Sequence, residues 1–243
     1  MEIKDKVILI TGTSAGIGLA AAQLLWKDGA KLALNARSKE KLDQLAKELP
    51  GSEVFPADME DELAVRDLVE KVQSKFGRLD ILINNAGRGM NGSLETIDIK
   101  EYQRLINLNI IGPLVAMQAV IPIMRKQGGG SIVDISSGTT LMYAPGLSGY
   151  SATKRALNGL SLTARNELAR DNISVSVVYP HVTKSDFYKN LISSEAKPKT
   201  VDEIVAGRAP ADTAEYVAEL IKTVILTGDA EIFAHDWMKS SMR

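Results

Sequence analysis

Short apolar runs alternate along this chain with longer stretches of helical periodicity. The runs cover residues 7–10, 31–34, 53–56, 81–83, 131–135, 174–178 and 231–234. Most are too short for stable helices and several are rich in Val and Ile, so they predict strands. The amphipathic stretches near 17–28, 39–48, 60–75, 99–126, 150–170 and 212–226 predict helices. Asp98 and Asp212 are N-cap candidates, and Glu215 follows Asp212 at capping-box spacing. Strands that alternate with helices predict an α/β architecture: a parallel sheet of about seven strands with helices on both faces, doubly wound. No linker, internal repeat or low-complexity tract interrupts the pattern, so residues 1–243 are expected to form a single domain. The stretch 181–211 lacks a clear strand and carries Pro198, Gly207 and Pro210. A loop that long in a compact domain predicts a lid over a ligand site.

Composition narrows the function. The chain has 243 residues, 45% of them hydrophobic, enough for a substantial core. A formal net charge of -1 leaves no general basic field for nucleic acid or an anionic membrane. Cysteine is absent, which rules out disulfides and thiolate chemistry, and two histidines, His181 and His235, do not suit a histidine-rich metal site. The polar start of the chain reads as no signal peptide, and no uncharged apolar run is expected to approach the ~20 residues that span a bilayer. These features predict a cytoplasmic protein without nucleic-acid or membrane partners.

The chemistry is concentrated in a few motifs. The first strand runs into Thr11, Gly12, Gly16 and Gly18 and then into a helix. Glycines there permit a tight turn and let main-chain amides approach a phosphate, while the helix start offers unpaired N–H groups. The spacing is G-x-x-x-G-x-G rather than the usual G-x-G-x-x-G of dinucleotide binders, and a plain strand-to-helix corner would use similar residues. The second strand ends without the acidic residue that accepts the ribose hydroxyl of NAD. Arg37 stands there instead, a solvated surface charge or a partner for a 2′-phosphate, so NADP is preferred over NAD.

Tyr150 and Lys154 share one helix face at i, i+4, and Ser137 follows a strand. A free tyrosine ionises near ~10, too high for a base at neutral pH, and an ammonium ~5 Å away would favour the phenolate by about two pKa units. Ser137 would donate to the substrate oxygen as charge grows on it. Alone, the Tyr–Lys pair would pass for an ordinary exposed helix pair. In the helix 99–126, Pro113 lacks an N–H and crowds the carbonyl of Asn109, which is expected to be left open to a water or ligand; a simple kink is the alternative. Gly112 would ease the distortion.

Together these residues resemble the classical short-chain dehydrogenase/reductase family, whose fold is of Rossmann type. The matching motifs are Thr11-Gly-x-x-x-Gly-x-Gly18, Asn84-Asn-Ala-Gly87, Asn109, Ser137 and Tyr150-x-x-x-Lys154, and the likeness spans about residues 5–235. The resemblance implies an oxidoreductase that moves a hydride between NADP(H) and a carbonyl or secondary-alcohol substrate. It makes Tyr150 the acid/base, Ser137 the substrate-positioning group, Lys154 the ribose ligand that lowers the tyrosine pKa, and Asn109 the holder of a relay water. By the same resemblance Gly12, Ser14, Gly16, Ile17, Gly18, Arg37, Asp58, Asn85, Ala86, Gly87, Tyr150, Lys154 and Pro180 contact the cofactor. Asp58 matches the adenine-contacting aspartate, and Ser185 stands where a threonine is common. Ile10 and Thr11 are expected to serve mainly in packing. Helices 99–126 and 150–170 would form the contacts of a homodimer or homotetramer.

One departure follows the sixth strand, where the family's Pro-Gly becomes Pro180-His181. Histidine finds costly some conformations that glycine permits, so this loop is expected to differ. Segments 88–95, 138–149 and 181–208 should surround the nicotinamide, with Leu141, Met142, Tyr143 and Leu147 as either an apolar wall or ordinary core or lid packing. Arg88 is either an anion-recognising or a solvated charge. The rival from another class is a non-catalytic dinucleotide-sensing or scaffold protein of the same fold.

Overall fold

The computed structural model describes residues 1–193, 201, 203 and 209–240. Nine strands are found among the described residues: β1 (Val7–Thr11), β2 (Lys31–Asn35), β3 (Glu53–Val54), β4 (Ile81–Asn84), β5 (Met90–Asn91), β6 (Gly130–Ile135), β7 (Ile173–Tyr179), β8 (Ile192–Ser193) and β9 (Glu231–Phe233). The helices are α1 (Gly16–Lys27), α2 (Lys39–Glu48), α3 (Glu62–Phe76), α4 (Ile99–Ile106), α5 (Gly112–Lys126), α6 (Ser148–Leu168), α7 (Ala214–Thr227) and the short α8 (Asp236–Ser240).

Seven strands form one parallel sheet in the order β3-β2-β1-β4-β6-β7-β9, a Rossmann-like arrangement with helices on both faces. Alternating side chains of each strand serve opposite cores, as a period of two requires. Ile8, Ile10, Leu32, Leu34, Ile81 and Ile83 point toward α1 and α7. Val7, Leu9, Leu82, Ile132 and Val175 point toward α3 and α5. Each fully buried Leu, Ile or Val contributes roughly 1.5–3 kcal/mol relative to exposure, so two such layers hold the sheet between them. The strand order reverses between β1 and β4, where ligands settle at the carboxyl ends of open α/β sheets.

Several expectations need correction. Asp98 does cap α4, accepting from the Glu101 amide. Asp212 does not cap α7; Thr213 does, accepting from the Tyr216 amide, and the carboxylate of Asp212 is engaged by His235 Nε2 at 3.0 Å. A hydroxyl one residue nearer the helix satisfies the amide, leaving the acid for His235. The helix over 99–126 is not kinked α-helix throughout: Asn107–Ile111 is a π-helical turn between α4 and α5. The helix Ile99–Lys126, with a mean hydropathy of 1.7, is long and apolar enough by composition to cross a membrane, contrary to the expectation of no such run. Val115, Ala116, Val120 and Met124 of its α5 half are buried against the sheet. Gly112 is required for a reason other than the kink, because a Cβ there would strike the Met59 carbonyl.

Of the expected lid, 194–200, 202 and 204–208, with Pro198 and Gly207, lie outside the described residues. The described part does contain a strand. Ile192–Ser193 pairs in parallel with Met90–Asn91, and a 3-10 turn precedes it at Asp186–Asn190. Two residues are too few to leave an apolar signature in sequence.

Candidate active site

The glycine turn links β1 to α1 with Gly12 and Gly16 at positive φ, +74° and +57°. Only glycine takes such angles without strain. A Cβ on Gly12 would lie 2.9 Å from the Cα of Ala86, and one on Gly18 would strike the carbonyl of Gly12 and the amide of Asn85. These glycines thus let two chain segments touch. Thr11, expected merely to pack, is the hub of that contact. Its hydroxyl accepts from the amides of Asn85 and Ala86, both at 3.0 Å, while Asn85 Nδ2 donates to the Thr11 carbonyl at 2.9 Å.

Helix α1 starts at Gly16 behind Ala15, which offers no side-chain cap, and its first turn carries no acid. Uncapped amides with a partial positive charge suit an anionic group such as a pyrophosphate. Ser14 and Ile17 are half-buried on this turn, Ile17 with its side chain against the core. Across the turn Ser185 brings its Cβ within 3.1 Å of where a Gly16 Cβ would stand. Arg37 is exposed just past β2 and makes no ion pair among the described residues. Asp58 is half-buried and accepts from the Glu60 amide at 3.0 Å.

The proton-handling group converges at the ends of β4 and β6. Tyr150 is 8% and Lys154 5% exposed, one turn apart on α6. The Nζ of Lys154 donates to the Ile135 carbonyl at 2.8 Å. Gly87 leaves a gap beside it: a Cβ there would lie 3.4 Å from that Nζ and 3.1 Å from Asn109 Oδ1. Asn109 is fully buried in the π turn, and its Nδ2 donates to the Arg88 carbonyl at 3.0 Å and to Thr153 Oγ1 at 3.1 Å. Ser137 accepts at Oγ from the amide of Thr139 and from its hydroxyl, at 3.2 and 3.0 Å. Its own hydrogen is thereby left for an outward bond, and Ser137 acts to lower the Tyr150 phenol pKa.

A family model for short chain dehydrogenases matches residues 6–196. The chain belongs to that family. This short-chain dehydrogenase is 35% identical over 223 residues to a 3-oxoacyl-(acyl-carrier-protein) reductase of Thermotoga maritima, covering 89% of this chain and 90% of that one. It is 34% identical over 206 residues to a 3alpha-hydroxysteroid dehydrogenase of Mediterraneibacter gnavus, covering 82% of each. A crystal structure of a short-chain dehydrogenase from Streptomyces avermitilis superposes with a TM-score of 0.87 at 30% identity, covering 100% of this chain and 92% of its own. A Burkholderia phymatum member in complex with NAD shares the fold, with a TM-score of 0.89 at 23% identity and coverage of 100% and 93%.

Electrostatics in this short-chain dehydrogenase differ from expectation. Burial pushes the Tyr150 phenol above its ordinary value, with Ser137 acting the other way and nearby Tyr188 adding to the rise. Lys154 is not among the groups that act on the phenol here; burial is the largest cause. Burial pushes Lys154 itself down to about 8, opposed by the charge of Asp134.

The pocket walls also differ. Tyr143 is 93% exposed, with the Arg155 guanidinium 4.6 Å over its ring, and Met142 is exposed as well. Leu141 packs instead against the Tyr179 cluster. The apolar surroundings of Tyr150 come from Met90, Ile97, Tyr102, Leu105, Phe187 and Ile192. The Phe187 ring lies 5.9 Å from that of Tyr150, carried there by the turn that precedes β8. Arg88 is half-buried, and its Nε donates to the Asn190 carbonyl at 3.3 Å in an exposed hydrogen bond. The Pro180 carbonyl accepts from the Gly138 amide at 2.8 Å, tying the loops after β6 and β7 together. His181 takes no positive φ, so replacing glycine strains nothing; its ring meets those of His235 and Trp237 edge-on at 5.7 and 5.3 Å.

Proposed function

We propose that this chain is an NADP-dependent oxidoreductase that reduces a carbonyl compound or oxidises the matching secondary alcohol. The observation that carries the reading is the convergence of Ser137, Tyr150, Lys154 and Asn109 beside the gap at Gly87. Relatives named for reducing a 3-oxo group and for dehydrogenating a 3alpha-hydroxyl group support the same reaction class. Structural neighbours in complex with NAD and with NADH support a nicotinamide cofactor.

The main chain of Gly12, Ser14, Gly16, Ile17 and Gly18 cradles the pyrophosphate at the uncapped start of α1. Asp58 meets the adenine, and Asn85, Ala86, Gly87 and Pro180 line the nicotinamide half. The nicotinamide, when bound, supplies or accepts the hydride. Tyr150 donates its proton to the substrate oxygen, and the raised phenol keeps it in the acid form that carbonyl reduction needs. Ser137 directs its remaining hydrogen to the same oxygen as negative charge develops there. Lys154 binds the nicotinamide ribose, and Asn109 holds at its main-chain carbonyl a water that reconnects Lys154 to solvent. Apolar neighbours around Tyr150 fit an uncharged ketone or alcohol. The described residues form one domain in which the stretch after β7, up to Ser193, covers the site, and helices 99–126 and 150–170 join a homodimer or homotetramer.

Arg37 decides the cofactor. A guanidinium paired with a 2′-phosphate contributes about 1.5–3 kcal/mol, so Arg37→Ala should weaken NADPH roughly 10–100-fold and leave NADH nearly unchanged. Parallel fluorescence titrations with the two dinucleotides measure this; equal losses would assign the arginine to solvent. Reduction also requires charged Lys154. Its ammonium is fully present well below about 8 and lost above it, so turnover should fall as pH rises through that value.

A further inference from the structure

Asp134 belongs to no motif in the sequence, yet it sits wholly buried one residue before the end of a central strand. Carboxylates are almost never fully buried unless paired. On β4 its register partner is Asn84, whose Nδ2 donates to Asp134 Oδ1 at 2.8 Å. From α6, Ser161 Oγ approaches Asp134 Oδ2 at 2.7 Å. Ser161 lies two helical turns beyond Lys154, on the same face of the helix that carries Tyr150. The next residue in the strand, Ile135, takes the Lys154 Nζ on its carbonyl. Asn84 donates to the carboxylate, and Ser161 offers it one hydroxyl hydrogen shared with the Leu157 carbonyl at 2.7 Å, while the cation Lys154 occupies the adjoining peptide.

We propose that Asp134 is a positioning residue for proton transfer: its buried carboxylate is the counter-charge that keeps Lys154 an ammonium, held at the Ile135 carbonyl beside the Gly87 gap. This rests on the role given to Lys154 above. Two neutral hydrogen bonds do not replace the hydration of a carboxylate, and one backbone carbonyl does not replace that of an ammonium. Lys154 therefore has Asp134 as the charge that opposes its burial, whereas the carboxylate leans first on Ser161 and Asn84 and then on Lys154. Among the described residues, the titratable neighbours of Lys154 are Asp134 from β6 and Tyr150 on its own helix. Asn84 and Gly87 from the β4 end, Asn109 from the π turn and Ser137 after β6 carry no charge. Lys154 is the cation that acts on Asp134, and burial raises the carboxyl while that charge lowers it.

The test reads the lysine directly. The intact chain is isotope-labelled at lysine Cε, and the Lys154 resonance is assigned by its loss in Lys154→Arg and followed against pH. It should titrate near about 8 in the parent. Asp134→Asn, which keeps shape but removes charge, should lower that midpoint by about one pH unit or more. Ser161→Ala, which removes one donor to the carboxylate, should move it the same way by less, and it serves alone if Asp134→Asn does not fold. An unchanged midpoint in the variants that fold overturns the proposal, since a merely structural aspartate would not move it. NADPH affinity by fluorescence over the same pH range separates the two readings. If the midpoint moves and affinity follows it, both stand. If the midpoint moves and affinity does not, Asp134 holds the charge but Lys154 does not hold the cofactor.

Discussion

Tyr150→Phe should cut turnover by about 10²–10⁴-fold while leaving NADPH affinity within a factor of about two, because it deletes the proton donor and nothing else. Phenylalanine fills the same volume among Met90, Leu105 and Phe187, so the apolar packing around the ring persists. The hydroxyl lost is the one on which Ser137 acts inside a dry site, and losing that interaction costs about 1 kcal/mol of stability. Folding and cofactor binding therefore survive, and the chemistry does not. Steady-state NADPH oxidation with a carbonyl panel, beside a fluorescence titration, measures both. Undiminished turnover would take the tyrosine out of the mechanism and leave the dinucleotide-sensing alternative in front.

Gly18→Ala should abolish binding of both NADPH and NADH and lower the melting temperature by several degrees. The added methyl would strike the Gly12 carbonyl and the Asn85 amide, both fixed parts of the β1–β4 junction. Asn85 Nδ2 donates to the carbonyls of Thr11 and Gly12, so it cannot swing away without breaking those bonds. Overpacking against backbone costs about 1–3 kcal/mol, and here the displaced atoms are those that shape the phosphate turn. Gly159→Ala is the matched control. Gly159 is exposed on α6 with nothing near its missing Cβ, so alanine there should be neutral or stabilise by up to about 1 kcal/mol. Thermal melts and dinucleotide titrations of the pair distinguish a specific collision from a general intolerance of alanine. If Gly18→Ala binds NADPH like the parent, the close approach is not what the cofactor site depends on.

Much of the site was legible because local chemistry demands rare residue types. Glycine at 12 and 16 answers a positive φ, and the four-residue spacing of Tyr150 and Lys154 answers the helix period. The strands were legible for a similar reason, since burial on both faces forces continuous Val, Ile and Leu. Asn109 was singled out through Pro113, although the backbone answer is a π turn rather than a kinked helix. Thr11, Asp134, Thr153 and Phe187 were not legible as site residues. Each acts on a partner distant in sequence, and its own type is ordinary in a strand, helix or loop. Tyr143 misled in the opposite direction: it stands in solvent under Arg155.

The periodicity of apolar positions and the order of motifs by themselves determined the family, the parallel sheet and which residues could move a proton, because those follow from local geometry and spacing. Only the tertiary structure decided their charge states and surroundings. Whether Tyr150 feels Lys154, or burial, or Tyr188 depends on how much water the fold excludes and which charges it brings within reach. That is a property of β6 lying against α6 and of Phe187, after β7, lying beside Tyr150, and no single stretch of chain contains it.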